Sequence, residues 1–154
     1  MTFGIEVEMF ICHPYGAIRP DDSDVMETIL RRTANDSEMA KRVYKDYYWN
    51  QLELRSNPYS DGEKIMQEIY EAYLKCTQIL NHYNEEYNTG YFLVPSSCVN
   101  NMNTTCGVHI HMRCKNMFNA YINSYPILLA FMSHSRCSPE NYNVLSFRQR
   151  HNYH

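Results

Sequence analysis

Three pairs of side chains in this sequence are spaced to do chemistry together: Glu6 and Glu8, Glu53 and Arg55, and His109 and His111. Members of each pair stand two residues apart. Side chains alternate across a strand, so each pair shares one face of any strand that carries it. In Phe3-Gly4-Ile5-Glu6-Val7-Glu8-Met9-Phe10 the two glutamates lie opposite Phe3, Ile5, Val7, Met9 and Ile11. Carboxylates held that close resist joint ionisation unless a cation sits between them or solvent screens them. Alone, such a pair is more often a wet sheet face than a site. On one sheet, however, the three pairs would converge as three carboxylates, two imidazoles and a guanidinium. Hard oxygen donors with one or two histidines suit Mg2+ or Mn2+ better than a structural zinc, with phosphate supplied by a nucleotide.

The elements that must position these groups are legible as hydrophobic patterns. The first strand ends at the turn signal Pro14-Tyr15-Gly16, and Pro20-Asp21-Asp22-Ser23 precedes a short helical pattern over Val25–Arg32. The polar stretch from Thr33 to Lys41 reads as a loop or weak helix. An aromatic-rich strand is predicted over Tyr47–Arg55, stopped by Asn57-Pro58, with Trp49, Gln51, Glu53 and Arg55 on one face and Leu52 and Leu54 on the other. Ser60 and Glu63 have the spacing of a capping box. Behind them Ile65, Ile69, Ala72, Cys76, Ile79, Leu80 and Tyr83 recur every three or four residues, which predicts a long amphipathic helix to about Tyr83. A short strand over Tyr91–Val94 and another over Gly107–Arg113 follow. In the latter Val108, Ile110 and Met112, the face expected to meet the helices, alternate with His109, His111 and Arg113. A further helix is predicted from Asn116 through Met132, kinked or divided at Pro126. Strands with one polar face point to an α+β fold, with an antiparallel or mixed sheet backed by helices and its polar face concave.

Composition narrows the function classes. At 154 residues with 44% hydrophobic content, the chain can build one core, so a single domain over 1–154 is expected. A formal charge of -3 gives no basic footprint for nucleic acid. No apolar run approaches the roughly 20 residues of a membrane span, and glutamates stand where a signal peptide needs a basic then apolar stretch. No membrane partner is expected, and the cytoplasm is the expected location. Cys12, Cys76, Cys98, Cys106, Cys114 and Cys137 are then expected to be reduced thiols.

Taken in order, the motifs carry a resemblance. FGIEVEMFICHPYGAIRP, QLELRSNP, CGVHIHMR and SRCSPENYNVLSFRQRHNY resemble successive segments of the glutamate–cysteine ligase superfamily. Within it they are similar to the carboxylate–amine ligases and amidoligases, relatives of the glutamine synthetase catalytic domain. The likeness covers nearly the whole chain. It implies that Glu6, Glu8, Glu53 and His109 ligate the Mg2+ or Mn2+ that bridges ATP phosphates. His111 would lie nearer the nucleotide phosphates. Arg148 would bind phosphate or a substrate carboxylate and, with Glu53, take part in catalysis, while Arg150, Arg55 and Arg136 are secondary phosphate or substrate contacts. The implied reaction joins an amino acid or other carboxylate to an amine. Typical members are longer and carry a later Glu-x-Arg strand that nothing before His154 supplies. The chain is therefore expected to be half of a longer or split enzyme, a reduced enzyme completed by a homo-oligomer or second chain, or a binding remnant.

Two rival chemistries start from the cysteines. A zinc-stabilised binding module would draw on Cys98, Cys106, His109, His111 or Cys114, although no Cys-x-x-Cys pair is present. A Cys/His hydrolase would use Cys106 or Cys137 as nucleophile, without a local signature to support it.

Overall fold

The computed structural model describes residues 2–18, 22, 24–95, 106–113, 116 and 122. Backbone contacts divide the chain into two compact units, Met1–Met112 and Arg113–His154, and the described residues fall almost wholly in the first.

Strand β1 (Thr2–His13) turns at Pro14 and Tyr15 into the two-residue β2 (Gly16–Ala17). Gly16 has φ 129°, a backbone conformation that side chains disfavour, so glycine suits the turn. Helix α1 (Asp24–Ala34) opens with Asp24 and Glu27 and closes with Arg31 and Arg32, charges that complement the helix dipole. A 3-10 turn over Met39–Lys41 leads into β3 (Val43–Lys45), which hairpins into β4 (Gln51–Arg55). Then come α2 (Gly62–Tyr87), β5 (Phe92–Val94) and β6 (Val108–Arg113).

The long strand β1 organises an antiparallel sheet. It pairs antiparallel with β2, β4 and β5, β3 pairs antiparallel with β4, and β6 also pairs with β1. With helices α1 and α2 packed on the sheet, this is the expected α+β fold. Alternation along β1 splits its side chains cleanly. Met9 and Ile11 join Leu52, Leu54, Val43, Val25, Ile29, Ile69, Ala72, Cys76, Ile79 and Leu80 in the main core. On the opposite face Phe10 and Cys12 form a small second cluster with Cys106. No helix among the described residues is long and apolar enough to cross a membrane.

Three local readings are corrected. The strand predicted over Tyr47–Arg55 begins only at Gln51, because the preceding residues close the β3–β4 hairpin: Asp46 N–H donates to the Gln51 carbonyl, and Gln51 N–H to that of Tyr48. Helix α2 is capped by Asp61, whose carboxylate accepts the Glu63 N–H at 3.0 Å, so Ser60 is not the capping residue. The helix continues to Tyr87 and stops at Asn88 in a left-handed conformation, φ 52°. Finally, Val108, Ile110 and Met112 on β6 are exposed, whereas α2 packs on β1, β4 and β5 and α1 on β3. The helix predicted from Asn116 lies almost entirely outside the described residues.

A buried ion-pair cluster fixes β4 from behind. Arg42, just before β3, pairs with Glu68 of α2 at 2.8 Å and with Glu71 at 3.1 Å. Glu68 also accepts the Asn57 N–H at 2.7 Å, the Asn57 side chain at 3.1 Å and the Tyr59 hydroxyl at 2.8 Å. The chain on both sides of the β3–β4 hairpin is thus tied to one helix position, and the hairpin's polar face is held in place.

Candidate metal centre

Strand register brings the chemical residues together. Across β1 and β4, Glu6 stands opposite Arg55 and Glu8 opposite Glu53, while Tyr44 of β3 faces Glu53 from the other side. These are the faces that alternation assigns to the polar residues. The third pair arrives on β6: His109 Nδ1 lies 3.3 Å from Glu6 and its Nε2 3.5 Å from Glu8, and His111 Nε2 lies 3.0 Å from Glu6.

The glutamates do not form a wet sheet face. Glu8 is 8% exposed and Glu53 4%, and the Glu6 side chain is about one-fifth exposed. Burial of a carboxylate is costly unless donors or cations meet it. Glu8 accepts the Gly107 N–H at 2.7 Å and the Gln51 side-chain amide at 3.1 Å. Glu53 is hydrogen-bonded to Arg55 Nε, which also lies 3.4 Å from Glu6. The Arg55 guanidinium rests over the Tyr44 ring, 4.2 Å from its centroid.

Electrostatics follow from these contacts. Burial acts to raise the Glu6 pKa, but hydrogen bonds from His111 and His109, with the charges of His111 and Arg55, outweigh it and hold the carboxyl below its ordinary range. Burial likewise acts to lower Arg55, and its bond to Glu53 with the charges of Glu53 and Glu6 more than reverses this. Cys106 responds in the opposite sense: burial and the nearby Glu8 charge push its thiol up to about 12. A thiol so placed stays protonated at neutral pH, which disfavours it as a nucleophile.

Two sets of ligand atoms cluster closely enough for one cation each. Atoms of Glu6, Glu53 and His109 lie within 4.8 Å of one another, as do those of Glu8, Asp46 and Glu53. Glu53 belongs to both. A six-coordinate ion with bonds near 2.1 Å spans ligand pairs up to about 4.2 Å apart, so modest closure suffices. The donors are carboxylate oxygens and one imidazole, which fits Mg2+ or Mn2+. Neither set, among the described residues, includes a cysteine. Cys12, Cys76 and Cys106 are buried free thiols.

Glu6, Glu8, Glu53, His109, His111 and Arg55 therefore meet as the sequence spacing implies. Arg136, Arg148 and Arg150 lie outside the described residues, as do Cys98, Cys114 and Cys137. Sequence reasoning missed the site roles of Asp46, Gln51 and the Gly107 amide. Gln51 was detectable, since it precedes Glu53 by two residues on the same strand face. Asp46 was not, because only the hairpin closure brings it alongside. Compared with known proteins, the chain matches no family model, no curated protein and no solved structure.

Proposed function

We propose that this chain carries the cation- and nucleotide-binding wall of an ATP- and Mg2+-dependent carboxylate–amine ligase of the cytoplasm. The observation that supports this reading is the burial of Glu8 and Glu53 beside Glu6 and Asp46, with an imidazole in ligating reach. Carboxylates gathered in a poorly solvated place favour binding of positive charge. Arg55 sets one positive charge against Glu6 and Glu53, while the cluster holds further carboxylates in Glu8 and Asp46.

Glu6, Glu53 and His109 would hold an ion there, with Glu8 and Asp46 offering further oxygens around Glu53. A bound divalent ion supplies charge neutralisation for the phosphates of ATP. The chain's own residues do the positioning. Gln51 and the Gly107 amide fix Glu8, and the register with β4 fixes Glu53. The sequence resemblance gives His111, the more exposed of the two histidines, to the nucleotide phosphates. The sequence resemblance assigns Arg148, and secondarily Arg150, to the transferring phosphoryl group or a substrate carboxylate. In the reaction a substrate carboxylate oxygen takes the γ-phosphoryl group as ADP leaves. The amine nitrogen then attacks the acyl carbon, loses a proton and expels phosphate, giving an amide. The substrates in this reading are an amino acid or other carboxylate and an amine, and a second copy or a second chain would provide the facing wall.

The test is calorimetric titration with MnCl2 and with MgATP, followed by phosphate release against a panel of amino acids and amines. Binding of MgATP with amine-dependent phosphate release is expected. A folded chain that takes neither MgATP nor MgADP overturns the ligase reading.

A further inference from the structure

Arg55 stands where a bound cation would be needed. Its Nε is hydrogen-bonded to Glu53 and lies 3.4 Å from Glu6, so one guanidinium bridges two of the three residues in the Glu6/Glu53/His109 ligand set. The register explains why: Arg55 is the cross-strand partner of Glu6 and lies two residues from Glu53 on the same face of β4. The side chain is 43% exposed, so it can leave the carboxylates without opening the core. Its other attachment is the face of Tyr44, a cation–π contact that does not use the N–H donors.

We propose that Arg55 is a resident counter-cation that a divalent ion displaces from Glu6 and Glu53, leaving its guanidinium over Tyr44 as an oxyanion-binding group. This rests on the cation-site reading above. Both cations favour the same carboxylates, so they compete. Once released, the guanidinium exchanges its carboxylate acceptors for water, and an anionic oxygen from a phosphate or carboxylate replaces that water with a charge-assisted hydrogen bond. Cation binding and anion binding then reinforce one another, and by linkage the coupling runs both ways. Arg55 thereby balances the cluster while it holds no metal and contributes to anion recognition once it does.

The test follows the Arg55 Nε–H resonance by nitrogen-15 NMR, assigned by its loss in Arg55→Gln, while MgCl2 is added. Saturation should shift this resonance and speed its exchange with solvent as the Glu53 bond breaks. In parallel, Mn2+ binding measured by electron paramagnetic resonance should be roughly fivefold or more tighter in Arg55→Gln, and near wild type in Arg55→Lys, which keeps the competing charge. With Mg2+ present, either inorganic phosphate or acetate should shift the resonance again, and the one that does identifies the anion class. Saturation by Mg2+ with an unmoved Nε–H overturns the proposal and leaves the cation site standing. A released Nε–H that neither anion moves overturns the anion-binding role. Failure of wild type and Arg55→Gln alike to bind Mn2+ overturns both the proposal and the cation reading.

Discussion

Glu8 and Gly107, 99 residues apart, are joined twice: the Gly107 N–H donates to the Glu8 carboxylate at 2.7 Å, and the Glu8 N–H donates to the Gly107 carbonyl at 3.0 Å. One contact is part of the sheet, and the other consumes a lone pair of a buried carboxylate. Together they fix where β6 starts along β1. His109 follows Gly107 by two residues and therefore arrives between Glu6 and Glu8. The glycine-histidine spacing matters because it sets this distance from anchor to imidazole.

Gln51 also donates to Glu8 and is itself buried. Gln51→Leu is close in volume but leaves Glu8 with less compensation for its charge. The variant should lose about 1–3 kcal/mol of stability in urea unfolding. An unchanged midpoint would show that Glu8 does not depend on this amide.

Glu6→Gln and Glu53→Gln each remove a charged ligand while keeping side-chain volume. Loss of an interaction supporting a metal site commonly costs about 10–100-fold in affinity, and loss of a ligand should cost at least that. Mn2+ affinity measured by calorimetry should fall accordingly, with the far-ultraviolet circular dichroism spectrum retained. Retained affinity in both variants would remove these residues from the site.

The three described cysteines should be inert. Burial pushes the thiols up to about 11 for Cys12 and about 12 for Cys76, and burial with the Glu8 charge does the same for Cys106. Reactivity belongs to the thiolate, so iodoacetamide at pH 7.5 should leave all three unmodified in the folded protein and label them after denaturation. Peptide mass mapping reads this directly. Rapid labelling of native Cys106 would restore the Cys/His hydrolase reading.

Much of the site was legible because its residues sit on strands whose two faces differ in polarity. The period-two alternation of β1 assigns Glu6 and Glu8 to one face and Met9 and Ile11 to the core without knowledge of any partner. The α2 pattern is equally direct, since Ile65, Ile69, Ala72, Cys76, Ile79 and Leu80 form one buried stripe. What the sequence concealed depends on pairing at a distance. Tyr47, Tyr48 and Trp49 have strand propensity, which masks the turn signal of the flanking Asp46 and Asn50. Missing that turn also conceals Asp46, because its approach to Glu8 and Glu53 exists only after the hairpin closes. The exposure of Val108, Ile110 and Met112 is similarly a matter of which strand the helices cover, which alternation cannot encode.

The cap of α2 provides a direct comparison of two adjacent residues. Asp61 accepts the Glu63 N–H, and its backbone is extended as a capping residue requires. Asp61→Ala should therefore cost about 1 kcal/mol, whereas Ser60→Ala should change stability by a few tenths at most. Thermal or urea unfolding of the two variants checks the assignment. The reverse order would restore the capping box predicted from Ser60 and Glu63.

Acid should release the Glu68 lock. Burial acts to raise the Glu68 pKa, but the Asn57 N–H, the Tyr59 hydroxyl, the Asn57 side chain and the Arg42 charge outweigh it and hold the carboxyl below its ordinary range. The unfolded chain therefore takes up the proton at higher pH than the folded protein does. The resulting stabilisation is fully present above the unfolded value of about 4.3 and disappears as pH falls through the lower folded value. Glu68→Gln removes this dependence and leaves Arg42 less well compensated, although Glu71 still pairs with it. The variant should be less stable by about 1–3 kcal/mol at pH 7, and its deficit should shrink as wild type is acidified below pH 4. Urea unfolding of both proteins across pH 3–7 measures the convergence. Parallel curves over that range would mean that Glu68 keeps the same proton occupancy folded and unfolded, and that the Asn57, Tyr59 and Arg42 contacts do not stabilise its charge.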